Sequence, residues 1–203
     1  MKAKCRWLAA AYAAALAVWL LLGCAYLARG AWYEAKGLRP HTQLAWQELE
    51  SSSVRLWESE EAGVWYVSTD TDPQLIWRQE AYLETVVLRV LRTTPGHAPV
   101  LYWKAPGQAD FSEGRSVYAV ETAPGEFTFR LGGRRVSEMR LDPDSVGGVV
   151  TRFDGVELNP PEGWYWAFVP GWGGLLLFLA LPPLALALAA EARALLPGKK
   201  RTR

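Results

Sequence analysis

The chain has 203 residues, half of them hydrophobic (50%), a formal charge of +1 and a mean hydropathy of −0.02. Its only cysteines, Cys5 and Cys24, exclude a disulfide framework and a Cys-based zinc site, and the near-neutral charge gives no basic surface for nucleic acid. These averages hide a pattern: two uncharged apolar stretches, one near each end, bracket a polar middle.

Residues 1–6 form a basic tail (Lys2, Lys4, Arg6), and residues 7–28 carry no charge. A helix needs ~20 apolar residues to cross a hydrocarbon core, and its backbone must be satisfied within the segment. Residues 7–28 therefore predict a transmembrane helix. Two alternatives stand beside it. Leu21-Leu22-Gly23-Cys24 resembles a bacterial lipoprotein cleavage site with Cys24 as the lipidated residue, and a plain signal peptide shares the basic start and apolar run. The uncleaved helix is preferred, because the apolar run continues through Ala25-Tyr26-Leu27-Ala28 and no flexible polar tether follows Cys24. The alanines at 9–11 and 13–15 suit a helix-packing face, or simply reflect an Ala-rich composition.

Residues 29–163 read as one domain. Gly37-Leu38-Arg39-Pro40 marks a turn, and residues 42–50 have weak helical spacing, as a short helix or an irregular lead-in. Short strands are then predicted at 54–58, 64–68, 74–78, 82–91, 100–104, 116–122, 126–131, 136–142 and 148–158. Turn residues such as Asp72-Pro73, Pro95-Gly96, Pro106-Gly107, Pro124-Gly125 and Gly132-Gly133 separate them. Phe127, Phe129 and Leu131 alternate with Thr128 and Arg130, which predicts one buried face. Val149, Thr151 and Phe153 share a face, and Val156 and Leu158 resume out of phase, so a bulge is expected near Gly155. Many short strands without intervening helices predict a mainly β fold, an antiparallel β-sandwich between two transmembrane helices. A core of Phe127, Phe129, Leu131, Met139 and Leu141 is expected, and about 134 residues can bury one without disulfides.

Residues 164–190 are again uncharged, and 191–203 form a second basic tail. Pro182-Pro183 should kink this second transmembrane helix, either as a packing adaptation or as a tolerated bend. The tails hold 8 of the 22 Lys+Arg but one acidic residue, Glu191, which leaves the middle 14 basic against 20 acidic. Basic residues flanking membrane segments stay cytoplasmic, so a two-pass protein of the cytoplasmic membrane is expected, both termini inside and the domain outside. Trp164, Tyr165, Trp166 and Trp172 then fall where an interfacial aromatic belt belongs.

Within the domain, Tyr102-Trp103, Asp110-Phe111-Ser112-Glu113 and Phe127-Thr128-Phe129-Arg130-Leu131 follow one another in order. Met139-Arg140-Leu141-Asp142-Pro143, Gly148-Val149-Val150 and Gly155-Val156-Glu157-Leu158 close the series. This run of about 60 residues resembles the jelly-roll module appended to bacterial membrane proteins and glycosyltransferases of cell-surface polysaccharide synthesis. Ala109-Asp110 replaces the module's glycine before Phe111, and Asp144-Ser145 stands where it has a glycine after Pro143. The resemblance implies a sandwich in a cell-envelope setting. Such modules often carry Ca²⁺, which makes Asp70 and Asp72, oxygen ligands in a turn, the candidate structural site; the alternative is a turn capped by its own Asp. No other cofactor is expected.

Trp57, Trp65, Trp77 and Trp103 are the candidate carbohydrate-binding platform, since sugar C–H faces stack on aromatics. The alternative is that they fill the core. No HExxH or GxSxG motif occurs, His97 reads as a plain loop residue, and no carboxylate pair is singled out for glycoside cleavage; no enzyme is expected. The expectation is a non-catalytic accessory protein of envelope polysaccharide or glycolipid synthesis. Its partners are the membrane, envelope glycans and a membrane glycosyltransferase or transporter, with no nucleic acid. The alternative is a purely structural subunit of a larger membrane enzyme or transporter.

Overall fold

The computed structural model describes residues 2–59 and 63–195, with side chains over 6–56 and 63–192. The chain divides into two compact units, Met1–Arg29 with Gly163–Arg203, and Gly30–Glu162.

Helix α1 (Lys2–Ala35) and helix α2 (Trp172–Leu195) are each long and apolar enough to cross a membrane. The helix expected over 7–28 continues to Ala35. The stretch expected to be helical from residue 164 opens instead as a 3₁₀ turn, Trp164–Phe168, before α2. Pro170 explains the break, because it disfavours helical geometry at Val169 and supplies no N–H. Trp164, Tyr165, Trp166 and Trp172 are all exposed, Trp172 at 85%.

The second unit is a β-sandwich. Its strands are β1 (Thr42–Leu44), β2 (Glu50–Ser52), β3 (Val54–Ser59), β4 (Gly63–Ser68), β5 (Gln74–Trp77) and β6 (Ala81–Arg92), followed by β7 (Val100–Lys104), β8 (Ser116–Tyr118), β9 (Val120–Ala123), β10 (Glu126–Val136), β11 (Glu138–Asp142) and β12 (Val150–Leu158). The larger sheet runs β3-β4-β12-β6-β10-β9, with β1 also on β12, and the smaller runs β2-β5-β11-β7-β8. Every pairing is antiparallel. Leu75, Leu101, Met139 and Leu141 of the smaller sheet meet Tyr66, Leu83, Leu88, Phe129 and Phe153 of the larger in one core. The five expected core residues, Phe127, Phe129, Leu131, Met139 and Leu141, are all buried there. At ~25 cal/mol per Å² of apolar surface, such side chains supply the main driving force for the fold.

Several boundaries differ from the sequence expectation, each for a local reason. Residues 42–50 are two short strands around a 3₁₀ turn, Trp46–Glu48, because Leu44 and Trp46 both enter the core. The strand expected over 116–122 breaks at Ala119, whose N–H donates to Pro99 O at 3.0 Å, and the chain passes there from the smaller sheet to the larger. Gly132-Gly133 does not end a strand. Both glycines have positive φ, 68° and 77°, and β10 bulges against β6 between Arg130 and Arg134. The bulge expected near Gly155 lies between Phe153 and Gly155, where φ is 130°.

β6 and β12 lie side by side in the larger sheet and give the sandwich two poles. At one, Thr42 pairs with Leu158, so the chain enters and leaves together. Asn159 fixes this pole: its side chain accepts from Glu84 N–H at 2.7 Å and donates to Pro40 O at 3.0 Å and Tyr82 O at 2.9 Å. Arg39 pairs with Glu84 at 2.5 Å beside it, and Tyr33 stacks on Tyr82 at 4.3 Å. At the other pole β6 ends at Arg92 and β12 begins at Val150.

Candidate functional site at the loop pole

The sequence-level candidates do not form one platform. Trp77 is 4% exposed in the core, so its indole offers no face to a sugar; this corrects its candidacy as a surface platform. Met139 pairs with Trp77 on one side and Trp103 on the other, so all three share the inward face, and Trp103 packs partly buried against the core. Trp57 pairs with Trp65 between β3 and β4, in the other sheet. Trp65 is half-buried, and the side chain of Trp57 lies outside the described residues, as do those of Glu58, Glu60 and Glu61.

Asp70 Oδ1 accepts from the Asp72 N–H at 2.8 Å, an Asp-capped turn. That bond, with Ser53, holds the Asp70 carboxyl below its usual range. Asp72 accepts from Gln74 at 2.6 Å and pairs with Arg140 at 2.5 Å. The turn geometry given as the alternative in the sequence is the geometry observed. Among the described residues no three His, Cys, Asp or Glu side chains gather as a metal site. Arg140 also holds Asp142 in a fork, 2.6 Å at each oxygen, and lies over the Tyr102 ring at 5.2 Å. Burial raises the Asp142 carboxyl against the opposing pull of Arg140. Cys24 is exposed within α1, with helix on both sides.

The cavity of interest lies where no candidate was placed, at the loop pole. It encloses about 640 Å³ between loop 93–99, the Pro124-Gly125 turn and Ala119, with Arg92, His97, Glu121 and Phe127 among its lining. One carboxylate organises it. Asp144, whose side chain is 3% exposed, accepts through Oδ1 from the N–H groups of His97 (3.1 Å), Ser145 (2.8 Å) and Val146 (3.1 Å). Arg92 ties the same loops together by donating to His97 O at 2.8 Å and to Pro143 O, while pairing with Asp144 Oδ2 at 3.7 Å. Its guanidinium covers the Phe127 ring at 4.9 Å. His97 Nδ1 meets Ser145 Oγ at 2.6 Å.

The approach is close enough to require Gly96, where a Cβ would sit 1.9 Å from Asp144 Oδ2. On the opposite wall Gly125 has φ of 75°, and a Cβ there would lie 2.2 Å from Val90 O. Among the described residues, three buried side-chain polar atoms make no hydrogen bond: Asp144 Oδ2, the Tyr66 hydroxyl and, at the other pole, Arg39 Nε. Burial pushes the Tyr66 phenol above its usual range. The result is a cleft whose lining mixes apolar Pro95, Ala98, Ala119 and Pro124 with polar Thr93, Thr94, His97 and Glu121. In the sequence, Pro95-Gly96-His97-Ala98-Pro99 reads as a loop and Asp142-Pro143-Asp144 more as a turn than as a metal site, and nothing in either points to the other. The joint between them is made at a separation of 47 residues.

No protein-family model matches the sequence. No curated protein matches it either. Among solved structures, the chain is similar to the carbohydrate-binding module CsCBM6-3 of Clostridium stercorarium, solved with cellobiose: TM-score 0.40, 10% identity, covering 60% of this chain and 95% of that one. A family 6 carbohydrate-binding module of Clostridium cellulolyticum, solved with xylose, gives 0.41 at 9% identity, covering 58% and 96%. The low-affinity xylan-binding module CBM86 of Roseburia intestinalis gives 0.39 at 12% identity, covering 59% and 94%. At these scores the likeness assigns no ligand to this chain.

Proposed function

We propose that this is a non-catalytic, membrane-anchored accessory protein of envelope polysaccharide or glycolipid synthesis, whose sandwich takes up a saccharide segment in the loop-pole cleft. The observation that carries this reading is the cleft's lining: apolar Pro95, Ala98, Ala119, Pro124 and Phe127 interleaved with the hydroxyl, imidazole and carboxylate groups of Thr93, Thr94, His97 and Glu121, enclosing about 640 Å³. A sugar ring offers C–H faces to the first and hydroxyls to the second, and ligand sites are concave with few convergent polar groups.

The test is calorimetric titration of the full chain in nanodiscs with envelope oligosaccharides. Saturable binding is expected, lost in Ala98→Trp, which fills the cleft from an exposed loop position. Binding unaffected by Ala98→Trp, or none at all, refutes this site. A second reading, a structural subunit of a larger membrane enzyme or transporter, is favoured by one observation: Trp77 lies in the core and Trp103 against it. That reading expects no glycan binding and a membrane partner that co-purifies only while residues 164–190 are intact.

A further inference from the structure

Within the helical unit, one face of α1 is built for α2. Tyr12, Ala15, Trp19 and Gly23, three or four residues apart, are among the covered positions, with Ala11, Tyr26 and Leu27 beside the same stripe, while their neighbours Leu16, Leu20 and Leu22 are exposed. That spacing is one stripe of a helix. On α2 the covered positions Gly174, Phe178, Pro182 and Leu186 recur every four residues. The contacts are specific. Phe178 meets the rings of Tyr12 (6.1 Å) and Trp19 (6.5 Å). Trp19 Nε1 donates to Phe168 O at 3.2 Å. A Cβ on Gly23 would fall 2.4 Å from the Phe168 ring, and one on Gly174 would fall 2.8 Å from the Trp19 ring.

The Tyr12 hydroxyl donates to Leu179 O at 2.9 Å. Leu179 is four residues before Pro183, which has no N–H to give, so this is the carbonyl that the proline leaves open. An open carbonyl in hydrocarbon needs a partner from elsewhere.

We propose that α1 is a permanent structural partner of α2: its Tyr12 satisfies one of the two carbonyls that Pro182 and Pro183 leave open, and the mature protein therefore retains the segment before Cys24. Tyr12, Trp19 and Gly23 all precede Cys24, so processing there would remove each of these contacts and return Leu179 O to lipid. The inference stands on the helical unit alone and is independent of what the cleft binds.

The experiment is a double-mutant cycle on the full chain in nanodiscs, combined with the intact mass of protein extracted from membranes. Tyr12→Phe keeps the ring and removes only the hydroxyl. It should lower the unfolding midpoint by about 1–3 °C. In a Pro183→Ala background, where Leu179 O regains a helical N–H, Tyr12→Phe should have no effect. The intact mass should include residues before Cys24. Equal effects of Tyr12→Phe in both backgrounds, no effect in either, or a lipidated chain beginning at Cys24 would overturn the proposal.

Discussion

Asn159 shows how much of this sandwich rests on single side chains. It is buried with φ of 46°, a conformation that asparagine tolerates and most residues do not. Its amide serves two backbone N–H groups, of Glu84 and Thr85, and two backbone carbonyls, and the His41 ring meets its own carbonyl at 2.7 Å. Asn159→Ala strands those four groups and adds backbone strain, so a loss of about 2–4 kcal/mol is expected in chemical denaturation. Asn159→Gly, which removes the strain alone, should recover part of it. Tyr66 is the opposite case. Its buried hydroxyl lies beside the Thr151 side chain without a hydrogen bond of normal geometry, so Tyr66→Phe should leave stability unchanged or raise it by about 1 kcal/mol. A loss above about 1 kcal/mol in the same assay would show that the hydroxyl is satisfied.

At the scale of the element, alternation was readable wherever polar and apolar residues took turns. In β10, Phe129 is fully buried and Arg130 exposed. Phe129→Ala should cost about 3–5 kcal/mol, and Arg130→Ala, whose ion pair with Glu162 is at 3.4 Å on the surface, under about 1 kcal/mol. β7 was unreadable for the converse reason. Val100-Leu101-Tyr102-Trp103 is apolar throughout, so the sequence does not decide which parity faces in. The pairing of Leu101 with Leu141 and of Trp103 with Met139 decides it, turning Tyr102 outward under Arg140. The cleft was illegible because its loops meet only in three dimensions. Gly96→Ala tests that joint: with Asp144 held by three N–H groups, a loss of about 1–3 kcal/mol is expected. On the larger sheet the Thr122 hydroxyl, and then Arg89, hold the Glu126 carboxyl below its usual range. Its contribution is complete above the unfolded value of 4.5 and is lost as pH falls through the lowered folded value. Thr122→Val should move that loss to higher pH in an acid titration followed by circular dichroism.

For the whole molecule, the apolar stretches and their charged flanks predicted helices at both ends, and two helices fit to span a membrane are present. Which side each terminus occupies is a proposal that follows from the charge bias alone. Reporter fusions after Gly163 and after Arg203 should read outside and inside respectively, and the reverse pattern would invert the topology.

The two poles of the sandwich carry a mechanical consequence. The chain enters and leaves beside Thr42 and Leu158, whereas the cleft is framed at the far ends of β6 and β12. Leu158 pairs with Val86 and Thr151 with Arg92, so at ~3.3 Å per residue the stretch of β6 from Val86 to Arg92 separates them by roughly 20 Å. Tension between a captured polymer and the two tethered ends would therefore run along the strands. The ladders of the larger sheet would bear it in shear, many bonds at once, rather than being unzipped one by one. Such a module grips like a lap joint, and its weakest point is the loop pole that Asp144 and Arg92 hold closed.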